Sequence, residues 1–357
     1  MKKFSKIMAA VVAALILVMS IAGCSFVKDM DEVNQVREGK IEAEKRAAQM
    51  DEIVLKIADD VEVNGAYYAW YYSTAYNAEY NKLYQEAQAE MEANSAADSA
   101  AEPTMPEIKV DMEAIKATTK ENIVATKMAY KKAVEAGIEL TDADYTAINA
   151  QINQLKSSIT QQGISYSDYL DFSYTNSEAV NQIVKEEYMG TLYYASLATE
   201  NYVSAKHILV KYGEGEEHTQ EEAKKLAEEI KAELDGGADF DKLMNEKSED
   251  GRDEAGNLAS PDGYTFTRGQ MVPAFEAAAF ALEEGKISDL VEVADQGYNG
   301  YHIIKKIPTS LSGIASALAQ GADASIASII EAEKASITAD VAVEETDKLS
   351  YYDEIYK

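Results

Sequence analysis

The 357-residue chain holds one cysteine, three histidines, five prolines and one tryptophan. A single cysteine excludes an intrachain disulfide and any thiolate metal cage. Three histidines, His207, His218 and His302, leave little for an imidazole metal site, so neither metal nor cofactor is expected. Few prolines favour long uninterrupted helices. Basic residues are scarce: 33 Lys and Arg face 63 Asp and Glu, a net charge of −30. Such a surface repels phosphate backbones, which excludes nucleic acid as a partner. What is present is globular in composition, 46% hydrophobic and 27% charged. The length suits two or three domains with real cores.

Only one long apolar run exists, Ile7 to Ile21, behind Lys2, Lys3 and Lys6. It is short against the roughly 20 residues a spanning helix needs and suits a signal peptide. It ends in Ile21-Ala22-Gly23-Cys24, which resembles a bacterial lipobox with Ile in place of the usual Leu. The resemblance implies removal of residues 1–23 and lipidation of Cys24. The protein would then sit on the outer face of the bacterial cytoplasmic membrane, held by its acyl chains. Residues 24–52 are charged with mixed signs and read as a tether or solvated helix.

Residues 53–201 read as a helical domain. Alternation at Ile53, Leu55 and Ile57 and at Val61 and Val63 predicts a short strand or hairpin ending in an Asn64-Gly65 turn. Tyr68, Tyr72, Tyr76, Tyr80 and Tyr84 then recur every four residues, one stripe of a helix. The stripe is either core packing or an aromatic cradle for extended polypeptide. Further helices are expected from Val110 to Ala136, after a Thr141 cap, and from Ser177 to Glu200. Nothing in this half suggests catalysis.

The pattern changes at Tyr202. Val203 to Lys211 is strand-like, Thr219-Gln220-Glu221-Glu222 is a capping box, and Pro273 to Leu282 is a helix with proline in its first turn. Ile287 to Val293 and Tyr301 to Ile307 read as strands. Within this stretch Ala205-Lys206-His207-Ile208-Leu209-Val210, Gly237-Ala238-Asp239-Phe240, Ser248-Glu249-Asp250, Arg268-Gly269-Gln270-Met271 with Phe275-Glu276, Gly285-Lys286-Ile287-Ser288 and Gly300-Tyr301-His302 stand in order. Together they resemble the parvulin (PpiC-type) peptidyl-prolyl isomerases. With the lipobox and helical flanks, the whole resembles extracytoplasmic foldase lipoproteins of the PrsA type.

The resemblance implies an α+β fold: a mostly helical chaperone-like domain built from both flanks, 53–201 and 309–357, with a parvulin domain at 202–308 inserted as a small antiparallel sheet surrounded by helices. A strand is expected near Ile337 to Val343. The resemblance also implies roles. His207 and His302 match the family's paired histidines, hydrogen-bonded to one another, and Asp250 stands where the family has Cys or Asp. Leu258, Met271 and Phe275 would line a proline pocket. Glu214, Glu216 and Glu217 replace the basic loop of phosphate-directed members and would repel phosphorylated substrates. The sequence departs from the family at Ala255-Gly256-Asn257-Leu258-Ala259, at an insertion over Ser260 to Thr265, in the longer hairpin Ala294 to Asn299, and at Val293 where the family has Thr. Two readings follow: a membrane-anchored isomerase and chaperone for translocated polypeptides with X-Pro bonds, or a non-catalytic holdase that keeps the fold to bind peptide. The resemblance leaves room for a homodimer. A solute-binding lipoprotein would need βαβ repeats, which are missing.

Overall fold

The computed structural model describes residues 40–58, 60–97, 106–294, 299–321 and 323–355. Residues 1–23, Cys24 and the tether up to residue 39 lie outside the described residues, as does most of the hairpin after Ala294. The chain divides into two compact units, one up to Tyr194 plus Ser328 onward, the other Ala195–Ala327. Among the described residues no single helix is long and apolar enough to cross a membrane.

The first unit opens with α1 (Lys40–Asp51), β1 (Ile53–Ile57), β2 (Val61–Asn64) and α2 (Gly65–Ala97). Then come α3 (Met112–Glu135), α4 (Asp142–Gln161), α5 (Tyr166–Phe172) and α6 (Ser177–Ser196). Its small sheet has the order β2-β1-β7, where β7 (Val343–Glu345) comes from the far end of the chain. Leu55 pairs with Val63 on one side and Glu345 on the other, both antiparallel. Both flanks therefore build this unit. Caps set the helix starts. Asp111 accepts from Glu113 and Ala114 backbone amides, and Thr141 forms a reciprocal capping box with Asp144.

Three expectations change here. The hairpin reverses after Ile57, with Ala58 at φ = 51°, and Asn64-Gly65 starts a helix instead: the Asn64 side chain accepts from the Tyr67 amide at 3.0 Å. Gly65 is required by proximity, since a Cβ there would overlap the Tyr352 hydroxyl and the Gln49 carbonyl. The charged stretch ends in α1, the helix of its two readings, but not a wholly solvated one: Met50 is buried with Ala66 and Ala179. The strand expected at Ile337 to Val343 begins only at Val343, because α11 (Ala324–Thr338) runs on to Thr338 and Asp340 then turns at φ = 54°. The tyrosine stripe divides: Tyr68 and Tyr72 are fully buried, while Tyr76, Tyr80 and Tyr84 are half-buried and stack at 6.2 and 6.4 Å.

The second unit is a four-stranded antiparallel sheet, order β4-β3-β6-β5: β4 (Tyr264–Thr267), β3 (Tyr202–Lys211), β6 (Gly300–Ile307) and β5 (Val291–Val293). Strand alternation sends successive side chains to opposite faces. Ile208, Val210, Tyr301 and Ile303 pack with α7 (Gln220–Asp235) and α8 (Phe240–Lys247) through Ala227, Ile230, Phe240 and Leu243. Val203, Ala205 and Ile304, on the other face, pack with Phe266 and with Phe275 and Ala279 of α9 (Pro273–Ala281). The Thr219–Glu222 capping box and the Asp239 cap start α7 and α8.

The strand expected over Ile287 to Val293 is shorter. Ser288 Oγ takes the Ile304 amide at 2.9 Å, a bond the ladder would otherwise make, and Ile287 keeps one bridge to Lys305. α10 (Leu311–Gln320), which the sequence grouped with residues 309–357, falls in the second unit, and Gly313 sits so near Thr265 that a Cβ would come within 2.8 Å of its hydroxyl.

Candidate active site

Two central strands bring the histidines together. His207 on β3 pairs with Ile304, and Leu209 pairs with His302 on β6. The histidines are thus two residues apart in register and project from the same face. Both are 8% exposed. Their ring centroids lie 5.1 Å apart with planes tilted by 47°. Phe275 of α9, 3% exposed, meets both rings edge-on at 5.2 and 5.4 Å. Tyr264 of β4 stacks on His207 at 5.7 Å. Its hydroxyl donates to Asp250 Oδ2 at 2.8 Å, and the same oxygen stands 3.6 Å from His207 Nε2.

Asp250 is placed by the bend that follows α8. The buried Ser248 Oγ accepts from the Leu209 amide at 3.1 Å, and the Glu249 amide donates to the Leu209 carbonyl at 2.8 Å. These bonds strap the bend to β3 beside His207. His218 is half-buried and lies 2.9 Å from Glu249, away from this group.

Burial dominates the electrostatics. Loss of solvent pushes the His207 pKa below its ordinary value, against the pull of Asp250. Burial, with His207 beside it, brings His302 down to about 3. Both rings are neutral near pH 7. No hydrogen bond joins them, contrary to the expectation from the sequence. The register offset sets the rings diagonally, and the Nδ1 atoms of both are buried without a partner. Burying a charge on either ring would be costly, while a neutral polar ring is tolerated.

His207, His302, Asp250 and Phe275 are brought together. Met271 packs against the same apolar cluster as Phe275. Leu258 does not join them. It is buried with Ile208, Val210 and Tyr301, residues of the opposite face, because the Arg252–Leu258 bridge folds its loop back on itself. Tyr264 was missed by sequence reasoning because it lies in what reads as an insertion. The signal was the alternation of Tyr264 and Phe266, which extends the sheet: the residues pair with Ala205 and Val203. Gly263, at φ = 85°, passes so close to the Ala205 carbonyl that a Cβ would stand 2.5 Å from its oxygen. Among the described residues no group of three or more His, Cys, Asp or Glu is gathered to hold a metal ion.

The arrangement is an aromatic-walled floor of two uncharged imidazoles with one carboxylate at its edge. It offers no activated nucleophile, and fits chemistry that needs an apolar surface and a fixed local field.

Residues 207–308 match the family model described as rotamase, a PPIC-type PPIASE domain. Foldase protein PrsA 2 of Bacillus anthracis is 35% identical over 155 residues, 43% of this chain and 45% of that protein. Foldase protein PrsA of Caldanaerobacter subterraneus subsp. tengcongensis is 30% identical over 197 residues, 54% of this chain and 57% of that protein. The chain spans about half the length of the curated relatives it matches. The solution structure of NmPin, the parvulin of Nitrosopumilus maritimus, is 34% identical and matches 30% of this chain and 97% of its own, with a TM-score of 0.21. The assignment rests on the sequence matches and not on that superposition. The family match starts at one of the paired histidines and takes in the other, and residues 207–308 are a PPIC-type parvulin domain in a chain that resembles the PrsA foldases.

Proposed function

We propose that this domain isomerises X-Pro peptide bonds and that the chain is a foldase for exported polypeptides, anchored by lipid at Cys24 to the outer face of the bacterial cytoplasmic membrane. The observation that carries the isomerase reading is the group His207, His302, Phe275, Tyr264 and Asp250 on one sheet face.

Rotation about an X-Pro bond breaks amide resonance, a barrier of roughly 18–20 kcal/mol. No covalent step is needed. A catalyst must hold the twisted amide more tightly than the planar one. The planar amide is the more charge-separated, with more negative charge on its carbonyl oxygen. Dry surroundings at Phe275 and Met271 disfavour it relative to the twisted form. A carboxylate at Asp250 near that oxygen repels the planar form further. The two neutral histidines form a floor that introduces no charge of its own and takes the proline ring against an uncharged surface.

A second reading has one observation in its favour: the Tyr264 ring lies directly on His207, so the face also suits passive peptide binding. Proline-limited refolding separates the two. Faster refolding at substoichiometric protein, reduced at least tenfold by Phe275→Ala, supports catalysis. Suppressed aggregation only at stoichiometric protein, with the slow phase unchanged, replaces the isomerase with a holdase.

A further inference from the structure

We propose that the helical unit carries a separate binding site, a cavity among α2, α3, α6 and α11 that takes an organic cation, either the arginine or lysine side chain of a polypeptide or a free amine of the same chemistry. This site lies outside the isomerase domain and does not depend on it.

The cavity has a volume of about 900 Å³, within the range of ligand pockets. Small residues bring α3 and α6 together in its wall. Gly190 of α6 faces Ala129 of α3 so closely that a Cβ there would stand 3.0 Å from the Ala129 Cβ. Its aromatic wall is Trp70 and Tyr71 from α2 and Tyr194 from α6. Rings of this kind attract a desolvated cation, and the same unit already shows the contact at several rings, Tyr67 and Tyr194 among them. Lys127 Nζ lies 3.9 Å from the Tyr67 centroid and Lys334 Nζ lies 5.4 Å from that of Tyr194.

Among the lining carboxylates that are not solvent-exposed, the charges leave one open. Lys127 is paired with Glu186 at 2.9 Å, both 6% exposed. Lys120 is paired with Glu345 at 2.6 Å and Lys334 with Glu331 at 2.9 Å. Glu187 lines the same cavity and, among the described residues, has no cation within ion-pair distance. Its Oε1 accepts from the Tyr71 hydroxyl at 2.7 Å, and that hydroxyl is held in turn by Thr126 at 2.8 Å. The carboxyl is only half-exposed, and burial together with the neighbouring Glu186 pushes its pKa up to about 7. An ammonium or guanidinium in the cavity would relieve that unfavourable charge, and the chain's net charge of −30 draws cations toward it.

Trp70 is the only tryptophan in the chain and stands in the cavity wall, so its fluorescence reports occupancy. The intact chain is titrated with a short peptide containing one arginine, with the same peptide containing citrulline, and with arginine amide. The arginine peptide is expected to shift Trp70 emission saturably and to bind at least tenfold more tightly than the citrulline peptide, which has the same shape without the charge. Glu187→Gln, which keeps the acceptor for Tyr71, is expected to weaken arginine binding at least tenfold and leave the isomerase rate unchanged. That rate separates failure of this site from failure of the isomerase reading. Tighter binding of the peptide than of arginine amide assigns the site to polypeptide side chains, and equal binding assigns it to small amines; both uphold it. Equal affinity for the arginine and citrulline peptides overturns the proposal and needs no variant. Unchanged arginine binding by Glu187→Gln, folded by circular dichroism, overturns it as well.

Discussion

At the scale of single residues, the paired histidines couple stability to pH. The His302 pKa of about 3 in the folded chain lies below its unfolded value of 6.5. Above pH 6.5 the ring is neutral in both states and contributes nothing. As the pH falls below 6.5 the unfolded chain takes up a proton that the folded chain refuses, so stability is lost progressively down to about pH 3. The slope approaches about 1.4 kcal/mol per pH unit for one such group, and His207 acts in the same direction. Acidification also relaxes the repulsion within a chain of net charge −30, so the informative quantity is a difference between proteins. Urea unfolding of the second unit at pH 7.5 and 5.0 is expected to show a smaller acid loss in His302→Asn than in the parent. An equal loss in both would show that His302 titrates normally. The identities of these residues were legible in the sequence, since motif blocks place His207, His302, Asp250 and Phe275. Their geometry was not. Whether two rings meet end-on or diagonally depends on strand register, which no motif states. Leu258 was assigned to the wrong face for a similar reason: the Arg252–Leu258 bridge is a contact between residues with no sequence signal for pairing.

At the scale of elements, caps and periodicity were readable because they are local. The Thr141 and Thr219 boxes and the alternation in β3 need only a few neighbouring residues. Asn64-Gly65 misled because a dipeptide that favours a turn also caps a helix, and the choice is made by Tyr352, nearly 300 residues away in sequence. Tyr352 is fully buried, packs edge-on against Tyr68 at 5.6 Å, and donates to the Gln49 carbonyl at 3.3 Å. Gly65→Ala is expected to destabilise the first unit by about 1–3 kcal/mol, the usual cost of forcing atoms into a filled core. Tyr352→Phe should recover part of it by removing the overlapped hydroxyl. Chemical denaturation of both variants checks this, and a Gly65→Ala protein as stable as the parent would refute the close approach.

At the scale of the whole molecule, the two units are expected to unfold as separate calorimetric transitions. Deleting the chain from Val343 onward removes β7 and the last helix, Ser350–Ile355. It should abolish the transition of the first unit and preserve that of the second, which needs nothing beyond Ala327. Loss of both transitions would mean that the units fold as one. At this scale composition yields expectations alone, acidity above all, while the division at Tyr194 and Ser328 comes from packing that the motif boundaries at 202 and 308 only approximate.

The pairing of Leu55 with Glu345 sets a timetable. A chain that emerges amino terminus first presents β1 long before the strand that completes its sheet. The inserted sheet, whose strands all lie between Tyr202 and Ile307, has everything it needs earlier. During synthesis the parvulin domain can mature while the helical unit still waits, its apolar side chains exposed. A prefolded insert also shortens the effective loop that must close between β1 and β7, which lowers the entropic cost of the final pairing. Tyr352, which emerges after both units' other elements, then acts as a latch, so that the helical unit reaches its finished form only once β7 and Tyr352 have been made.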